Sequence, residues 1–460
     1  MGNTNSSTSV ALSNFSSRWD SNRLVMLFSE NKELNADCEV HNALQFKFGK
    51  IIPKPQTKID RFLLNTWKKY TVVRPDDIII NGLNLNYDFV TIRIGLVKEV
   101  GIITSSYISL RPRAGVNAKF YNYYFKALDS KKIFHGLGTG IRLTLSYKEL
   151  KNIVLPIPPH NEQNQIVRYL DWKVSEINRL IAVKKKQVSS YKDLRKAVID
   201  RGILHGFKDT SQKESGVYWL GKIPASWNVM PLKRICRANA SIADLLKGKE
   251  NIEKVTFLPM ENVSETGEID CSIKKPIAEV RSGFSSFSKG DVVVAKITPC
   301  FENGKGACLD DLDTDIGFGT TEFINLRPSE KVLSRYLYMI TMTQPFRKLG
   351  EEVMTGSAGQ KRVSVNYIKN FTVGIPSINE QGKILTNIDK KLFQIDKAIE
   401  IEHQDITLLQ ELKARIVSDV VTGQIDIRNV EIPAYEYVEE ESDDDINDDS
   451  DIENAGEQED

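Results

Sequence analysis

The 460-residue chain contains an internal repeat, and this repeat constrains its fold more than any other feature. The segment GIITSSYISLRP from Gly101 matches GFGTTEFINLRP from Gly317, about 216 residues later. Three further motif pairs keep the same order, namely DIII at 77 with DVVV at 291, RLTLSY at 142 with RVSVNY at 362, and IPPHNEQ at 157 with IPSINEQ at 375. Conserved order and spacing predict two copies of one structural plan.

Each copy consists of a mixed region followed by a helical region. Short β-branched runs such as DIII and DVVVAKI alternate with Gly, Asn and Pro clusters, which predicts α+β domains at residues 1–155 and 207–374. The segments 156–206 and 375–424 carry helical periodicity. Pro158 and Pro376 mark the helix starts, Ser377 with Glu380 predicts a capping box, and glycines at 206 and 423 suit the helix ends.

Apolar residues recur at heptad spacing in both helical segments, which predicts a coiled coil. Eight of the ten seam positions are apolar in each copy, and the polar exceptions fall at the same places. The first seam is Val167, Leu170, Val174, Ile177, Ile181, Lys184, Val188, Tyr191, Arg195 and Val198. The second seam is Leu385, Ile388, Leu392, Ile395, Ile399, Glu402, Ile406, Leu409, Lys413 and Ile416.

The polar seam residues favour an antiparallel pairing of the two helices. A parallel pair in register would set Arg195 against Lys413 at a poorly solvated position. An antiparallel pair separates these cations and leaves Lys184 and Glu402 roughly 4.5 Å apart along the axis. We therefore expect Lys184 and Glu402 to pair, and the two mixed domains to lie at opposite ends of a helical spacer.

The charge is distributed unevenly along the chain. Fifteen of the 30 residues from 431 to 460 are acidic and none is Lys or Arg, which predicts a disordered acidic tail. The first 430 residues carry 62 basic and 46 acidic side chains. A basic body predicts a polyanionic partner, most often nucleic acid.

Several other classes of protein are disfavoured. The five cysteines (Cys38, Cys236, Cys271, Cys300 and Cys308) form no CxxC pair, so neither a disulfide framework nor a zinc site is indicated. The sequence has no membrane-length apolar run, no phosphate-binding GxxxxGK[ST] loop and no HExxH. We expect a non-catalytic protein without its own cofactor or metal, acting in the cytoplasm.

Polar loops beside the strands are the candidate DNA-contacting residues, because Asn, Glu, Lys and Arg side chains can pair with base edges or phosphates. In the second copy these residues are Lys296, Thr298, Glu302, Asn303, Lys305, Thr320, Thr321, Ser357, Gln360, Lys361 and Arg362. Their weaker counterparts in the first copy are Asn84, Asn86, Thr104, Ser105, Ser106, Thr139 and Arg142. Arg111 and Arg327, in matching LRP triplets, are expected to pin strand ends.

The duplicated IPxxNEQ helices, the WLGKIPASW opening of the second half, KITPCFENGK and GFGTTEFINLRP together resemble the specificity subunit of type I restriction-modification enzymes. The resemblance implies two target recognition domains in a pseudo-two-fold arrangement, joined by the antiparallel helices. It implies a bipartite double-stranded DNA target, two methylation subunits docked on the helices, and restriction subunits. Those partners would hold S-adenosylmethionine, ATP and Mg²⁺ and carry out adenine-N6 methylation and cleavage.

Two other functions fit the same sequence features. The chain could be an architectural DNA-binding scaffold that uses its helices to dimerise. It could also be the targeting subunit of another restriction class. The sequence does not give the target bases, the spacer length or the role of the tail, because loop side chains and DNA deformation both contribute to readout.

Overall fold

The computed structural model describes residues 15–47, 49–55, 61–86, 92–140, 143–208, 210–246, 254–357 and 359–439. The chain divides into two compact units. Unit 1 comprises Met1–Lys185 with His403–Asp460, and unit 2 comprises Lys186–Glu402. The mixed α/β class with long helices is confirmed, whereas the predicted domain boundaries stay predictions.

The described residues of unit 1 form ten short strands and four short α-helices. The strands are β1 (Asp20–Arg23), β2 (Phe28–Glu30), β3 (Leu44–Lys47), β4 (Lys50–Pro53), β5 (Thr71–Val73), β6 (Ile78–Ile80), β7 (Ile94–Leu96), β8 (Gly101–Ile103), β9 (Ile108–Pro112) and β10 (Val154–Ile157). The helices are α1 (Leu24–Leu27), α2 (Arg61–Trp67), α3 (Ala118–Ser130) and α4 (Tyr147–Leu150), followed by the start of the long helix α5 (His160–Asp200).

In the part of unit 2 that the structure describes there are twelve strands and, besides α5, five α-helices. The strands are β11 (Gln212–Glu214), β12 (Lys222–Pro224), β13 (Asn228–Pro231), β14 (Cys236–Ala238), β15 (Lys254–Leu258), β16 (Lys274–Pro276), β17 (Ser285–Ser288), β18 (Val292–Ala295), β19 (Gly306–Cys308), β20 (Ile316–Gly319), β21 (Phe323–Pro328) and β22 (Thr372–Ile375). The helices are α6 (Ile277–Val280), α7 (Ser334–Met342), α8 (Gln344–Glu352), α9 (Val365–Asn370) and the long α10 (Ile378–Val421).

The main sheet has the same strand order in both units, as the repeat predicts. In unit 1 the order is β2-β9-β6-β7, and in unit 2 it is β14-β21-β18-β19. Both sheets are antiparallel throughout. The strands that precede the long helices also pair alike, since β1 pairs with β10 and β13 with β22. A second four-stranded sheet, β16-β15-β20-β17, is described in unit 2, where β15 and β20 run parallel.

The sheets pack against α3 in unit 1 and α7 in unit 2, which explains the apolar runs in their strands. The first core includes Phe28, Ile78, Leu110, Phe120 and Tyr121, all at most 1% exposed. The second core includes Trp227, Val292, Leu326, Tyr336 and Phe346, none of which is measurably exposed. Each core also buries a section of both long helices.

One buried ion pair fixes the same strand end in each sheet. Arg111 donates from Nε and Nη2 to Asp77 at 3.0 and 2.9 Å, and Arg327 donates to Asp291 at 2.9 Å from both nitrogens. The aspartate side chains are only 2% exposed. The expectation that Arg111 and Arg327 pin strand ends is confirmed, because their bidentate contacts join neighbouring strands.

The helical segments form as predicted, and every seam residue is buried or half-buried. Within unit 1, α5 and α10 run antiparallel, because Asn178 contacts Lys413 while Lys184 contacts Asp405, at 3.3 and 2.7 Å. Within unit 2, Arg195 donates to Asp396 at 3.1 Å. The expected contact of Lys184 with Glu402 stays a prediction.

The two glycines predicted to end the long helical segments adopt left-handed backbone conformations. Gly206 and Gly423 have φ of +69° and +71°. A Cβ on Gly423 would lie 2.7 Å from the Trp19 ring, so the chain turn and the close packing both require glycine. The predicted capping box forms only in part, because Ser377 Oγ accepts from the Glu380 amide at 3.4 Å while Glu380 Oε1 accepts from the Trp227 indole at 3.1 Å.

Residues 427–439, which we call the strap, lie along α5 within unit 1. Gln165 Nε2 donates to the carbonyls of Ile427 and Val430 at 3.2 and 2.8 Å. Further along the helix, Asn178 Nδ2 donates to the Val438 carbonyl at 3.0 Å, and the Val438 amide donates to Ser175 Oγ at 3.2 Å.

The strap ends in an ion-paired residue. Glu439 forms ion pairs with Lys98 and Lys50. Residues 431–439 thus differ from the expected disordered tail because their backbone and side chains find partners on the domain, and residues 440–460 lie outside the described residues.

Candidate nucleic-acid interface

Three separate segments of unit 2 meet at one end of its main sheet. The first follows β18 and runs from 296 to 305, the second is the turn at 320–322 that leads into β21, and the third is the loop from 355 to 362. Because β18 and β21 are antiparallel neighbours, the end of β18 lies beside the start of β21. Sheet topology alone therefore joins the first two segments.

Backbone hydrogen bonds join the third segment to the other two. The Lys296 amide donates to the Glu322 carbonyl at 2.9 Å, and the Val363 amide donates to the Lys296 carbonyl at 2.8 Å. The Thr298 amide donates to the Lys361 carbonyl at 3.0 Å. These bonds hold the three segments, which we call the unit 2 loop cluster, in one fixed arrangement.

Several of the predicted DNA-contacting side chains already have protein partners in this cluster. Thr298 Oγ1 donates to Glu302 Oε1 at 3.1 Å, and Asn303 Nδ2 donates to Glu265 Oε1 at 3.0 Å. These contacts fix side-chain positions at a solvent-facing edge. Contact of Thr298 or Asn303 with a base would use their remaining hydrogen-bonding capacity or exchange these bonds.

Arg362 is the most firmly held of the predicted residues. Its Nε and Nη2 donate to Glu322 at 2.9 and 3.0 Å, and its Nη1 donates to the Gln360 carbonyl at 3.3 Å. The Arg362 guanidinium lowers the pKa of the Glu322 carboxyl below its ordinary value, so Glu322 is ionised at neutral pH.

The other predicted residues of unit 2 lie at the edge of the cluster. Lys361, Ser357, Gln360 and Thr321 are exposed, while Lys296, Lys305 and Thr320 are half-buried. Their ammonium and hydroxyl groups suit phosphate contacts, which position a protein on DNA without reading its sequence.

Unit 1 repeats this arrangement with different side chains. The Leu145 amide donates to the Gly82 carbonyl at 2.8 Å, as the Val363 amide does to Lys296 in unit 2. Thr139 and Thr144 exchange backbone bonds at 3.0 and 2.9 Å, as residues 355 and 362 do in unit 2. These bonds correct the sequence match of Arg142 with Arg362, because Thr144 takes the place of Arg362 in unit 1. The turn at 104–106 leads into β9, which pairs with β6. We call these segments the unit 1 loop cluster.

The unit 1 cluster differs from its counterpart in the groups that it presents. Asn84 is exposed with a φ of +51°, Asn86 is half-buried, and Ser105 and Ser106 are exposed. Thr104 Oγ1 lies 3.3 Å from Ser106 Oγ, within the turn itself. Arg142, another predicted DNA-contacting residue, lies outside the described residues.

The sequence analysis missed the residues that support the two clusters. Glu322 accepts a hydrogen bond from the predicted residue Arg362, and Glu265 accepts one from the predicted residue Asn303. Neither glutamate was predicted, although Glu322 directly follows the predicted Thr321. Two buried arginines hold loop backbone. Arg93 Nη1 donates to the Leu83 carbonyl, and Arg347 Nη1 donates to the Phe301 carbonyl, both at 2.8 Å. These contacts join residues 10 and 46 positions apart, so no local motif reveals them.

Arg347 is an unusual support because its charge is buried among aromatic rings. Its guanidinium lies 4.8 Å from the ring centroid of Phe301 and 5.6 Å from that of Phe346. Burial lowers the pKa of Arg347 to about 10, which still leaves it charged at neutral pH. The residue therefore fixes the 296–305 segment through both a hydrogen bond and cation–π contacts.

The described part of the chain contains no cluster of His, Cys, Asp and Glu side chains able to hold a metal ion. Within the same residues, no helix combines the length and apolarity needed to cross a membrane.

In comparisons with known proteins, one family model matches a stretch in each copy of the repeat. The family model for the type I restriction modification DNA specificity domain matches residues 90–190 and 224–412. The chain is 32% identical over 213 residues to the type I restriction enzyme EcoEI specificity subunit of Escherichia coli, and 34% identical over 213 residues to the EcoAI specificity subunit of the same organism. Each match covers 46% of this chain, and 34% and 35% of those relatives. The chain thus spans about a third of their length.

A more distant relative matches along most of its length. The type I restriction enzyme MjaVIII specificity subunit of Methanocaldococcus jannaschii is 24% identical over 384 residues, which cover 79% of this chain and 82% of that protein. Among solved structures, a chain from work on complex assembly and conformational transition of the type I R-M system superposes with a TM-score of 0.60 at 12% identity. That match covers 90% of this chain and 100% of the other, and it supports the fold.

Proposed function

Because this chain belongs to the type I restriction-modification DNA specificity family, we propose that it selects the DNA target of a type I restriction-modification complex. Membership of this family supports sequence-specific DNA recognition as its role. The observation that carries the proposal is the pair of matching loop clusters, one at the end of each main sheet. Two such clusters suit a bipartite target, one half-site for each unit.

The chemistry of the clusters suits double-stranded DNA. Lys296, Lys305 and Lys361 supply positive charge for phosphates, while amide, hydroxyl and guanidinium groups can pair with base edges in the major groove. The backbone bonds that join the three segments hold these groups in place before DNA binds. Such preorganisation reduces the ordering cost of association.

The long helices are proposed to act as the spacer between the two half-sites. The antiparallel contacts of α5 with α10 in unit 1, together with the Arg195–Asp396 contact in unit 2, support an antiparallel coiled coil. A stiff spacer of fixed length would separate the half-sites by a fixed, unread gap. A chain of this kind needs no catalytic residues of its own.

Partner subunits would carry out the chemistry. We propose that two methylation subunits with bound S-adenosylmethionine and the ATP- and Mg²⁺-dependent restriction subunits assemble with this chain in the cytoplasm. The chain would direct adenine-N6 methylation and restriction by choosing where they act. The names of the E. coli relatives as specificity subunits support this assignment.

The test is to express the chain with a methylation subunit of the same system and to map N6-methyladenine across the host genome by single-molecule sequencing. We expect a split motif with a fixed gap that disappears when this chain is omitted. Methylation that is absent, or unchanged without the chain, would contradict the proposal.

A further inference from the structure

Arg362 and Glu322 form a carboxylate-supported guanidinium at the exposed edge of the unit 2 loop cluster. The arginine side chain is 41% exposed and the glutamate side chain 23%. Both residues have their backbone fixed. The Arg362 amide donates to the Thr355 carbonyl at 2.8 Å, and the Glu322 carbonyl accepts from Lys296 at 2.9 Å. The ion pair therefore joins two segments that the sheet already holds together.

The hydrogen bonds of Arg362 leave donor capacity on its terminal nitrogens. A guanidinium has five N–H groups. Two of these donate to Glu322 and one donates to the Gln360 carbonyl. In the described residues, this leaves one N–H on Nη1 and one on Nη2 for a ligand. Two parallel N–H groups of an arginine match the O6 and N7 acceptors of guanine in the major groove.

We propose that Arg362, oriented by Glu322, reads a guanine in the half-site that unit 2 recognises. The inference rests on the proposed function and deepens it by naming a specificity-determining residue. Glu322 acts as a positioning residue, because it restricts the guanidinium to one plane and removes the rotamer freedom of a long side chain. An arginine held in this way discriminates among bases rather than only attracting phosphate.

The repeat offers an internal contrast. Glu322 corresponds to Ser106 in the unit 1 loop cluster, by the match of GFGTTEF with GIITSSY. A serine hydroxyl cannot accept two parallel bonds from a guanidinium as a carboxylate does. The two half-sites should therefore differ, and the supported arginine should act in the half-site of unit 2 alone.

The experiment measures DNA binding by the purified complex of this chain with its methylation subunits. Duplexes carry the motif found by methylation mapping, with each base pair of both half-sites replaced in turn. We expect one guanine whose replacement by adenine, or by 7-deazaguanine, weakens binding about tenfold or more, since a bidentate base contact contributes roughly 1–3 kcal/mol. R362K should remove the discrimination at this one position and leave the other half-site unchanged.

Two further variants separate the roles. E322Q should reduce discrimination at the same guanine while retaining part of the affinity, because the amide can accept only one of the two bonds. K361A is the matched control, since Lys361 is exposed in the same segment. It should weaken binding to all duplexes alike and reduce the salt dependence.

Two other results would contradict the guanine inference. If R362K weakens all duplexes uniformly, as K361A does, or leaves every position unchanged, the guanine inference is wrong although the proposed function stands. If the wild-type complex shows no sequence preference on any duplex, the proposed function fails, and this inference fails with it. R362K keeps the charge of the side chain and E322Q keeps its shape, so we expect both variants to fold. A variant that fails to fold would be recognised because it would not assemble with the methylation subunits.

Discussion

Two buried aspartates, Asp77 and Asp291, organise their sheets in the same way. Besides its arginine, Asp291 accepts bonds from the Ser288 amide at 2.8 Å and from Asn325 Nδ2 at 3.0 Å. The carboxylate is therefore fully hydrogen-bonded in a place that excludes water. This explains why an acid can precede a run of β-branched residues in both copies of the repeat.

Replacing Asp291 should destabilise unit 2 strongly. Asp291→Ala leaves the Arg327 guanidinium and an amide without their acceptor, which costs about 3 kcal/mol for a buried pair that loses one partner. The free energy of unfolding, measured by urea denaturation, should fall by about this amount. Asp311→Ala, at an exposed position, is the control and should change stability by less than about 0.5 kcal/mol. A small effect of Asp291→Ala would contradict the pinning role.

Glu33 gives unit 1 a predictable response to acid. Hydrogen bonds from Arg74 and then from Arg111 lower its pKa from 4.5 to about 2. A lowered pKa means that the stabilisation is complete above about pH 4.5 and is lost as the pH falls towards 2. Because the side chain is 40% exposed, solvent screening limits the contribution to about 1 kcal/mol.

The corresponding variant is Glu33→Gln. Its stability deficit relative to wild type, measured by urea unfolding, should be constant from pH 7 to 5 and should shrink below pH 4.5. Glu39→Gln, at an exposed position, serves as the control. A deficit that stays the same at pH 3 would contradict the assigned pKa.

Many residues of the loop clusters could be predicted because the internal repeat identifies equivalent loops in the two halves of the chain. Polar residues beside strand ends, such as Thr298 and Arg362, were found from their sequence context, and the structure brings their segments together. Their partners were not found. Glu322 lies 40 residues before Arg362 in the chain, and such a contact depends on sheet topology rather than on any local pattern.

At the scale of elements, the long helices were the most predictable part of the fold. Their heptad pattern reflects burial that recurs every three or four residues, and the structure buries every predicted seam position at least in part. The strap was not predictable. The charge pattern predicts a disordered tail that includes residues 431–439, whereas the contacts of Val438 with Ser175 and Asn178 hold this part of the strap on α5.

The antiparallel pairing can be tested by exchanging charges. Arg195→Asp places an acid beside Asp396, and the double variant Arg195→Asp/Asp396→Arg restores an opposite pair. We expect the single change to cost about 1 kcal/mol and the double variant to recover most of it, measured as a coupling energy from a double-mutant cycle. The same cycle on Lys184 and Asp405 provides a second measurement in unit 1. No coupling in either cycle would contradict the pairing.

The strap should stabilise the part of α5 on which it lies. A chain ended after Val430 loses the contacts of Val438 with Ser175 and Asn178, so amide hydrogen exchange along residues 175–179 should accelerate about tenfold. A chain ended after Glu439 keeps those contacts and is the matched control. Equal exchange rates in the two chains would show that the strap does not stabilise the helix.

At the scale of the whole molecule, the central claim is that two matching units read two half-sites and that the long helices set the distance between them. The duplicated sheet order, the two loop clusters and the antiparallel contacts each support part of this claim. The two-unit architecture could be predicted because the two copies of the repeat are still similar in sequence. It could not give the target bases, which depend on individual side-chain orientations and on DNA deformation.

The most direct measurement inserts one heptad into each helix, after Lys185 and after Glu402, and maps the methylated motif again. Seven helical residues add about 10 Å, which corresponds to about three base pairs of B-DNA. We expect unchanged half-sites separated by a gap about three base pairs longer. An active complex that methylates the original motif with its original gap would contradict the account.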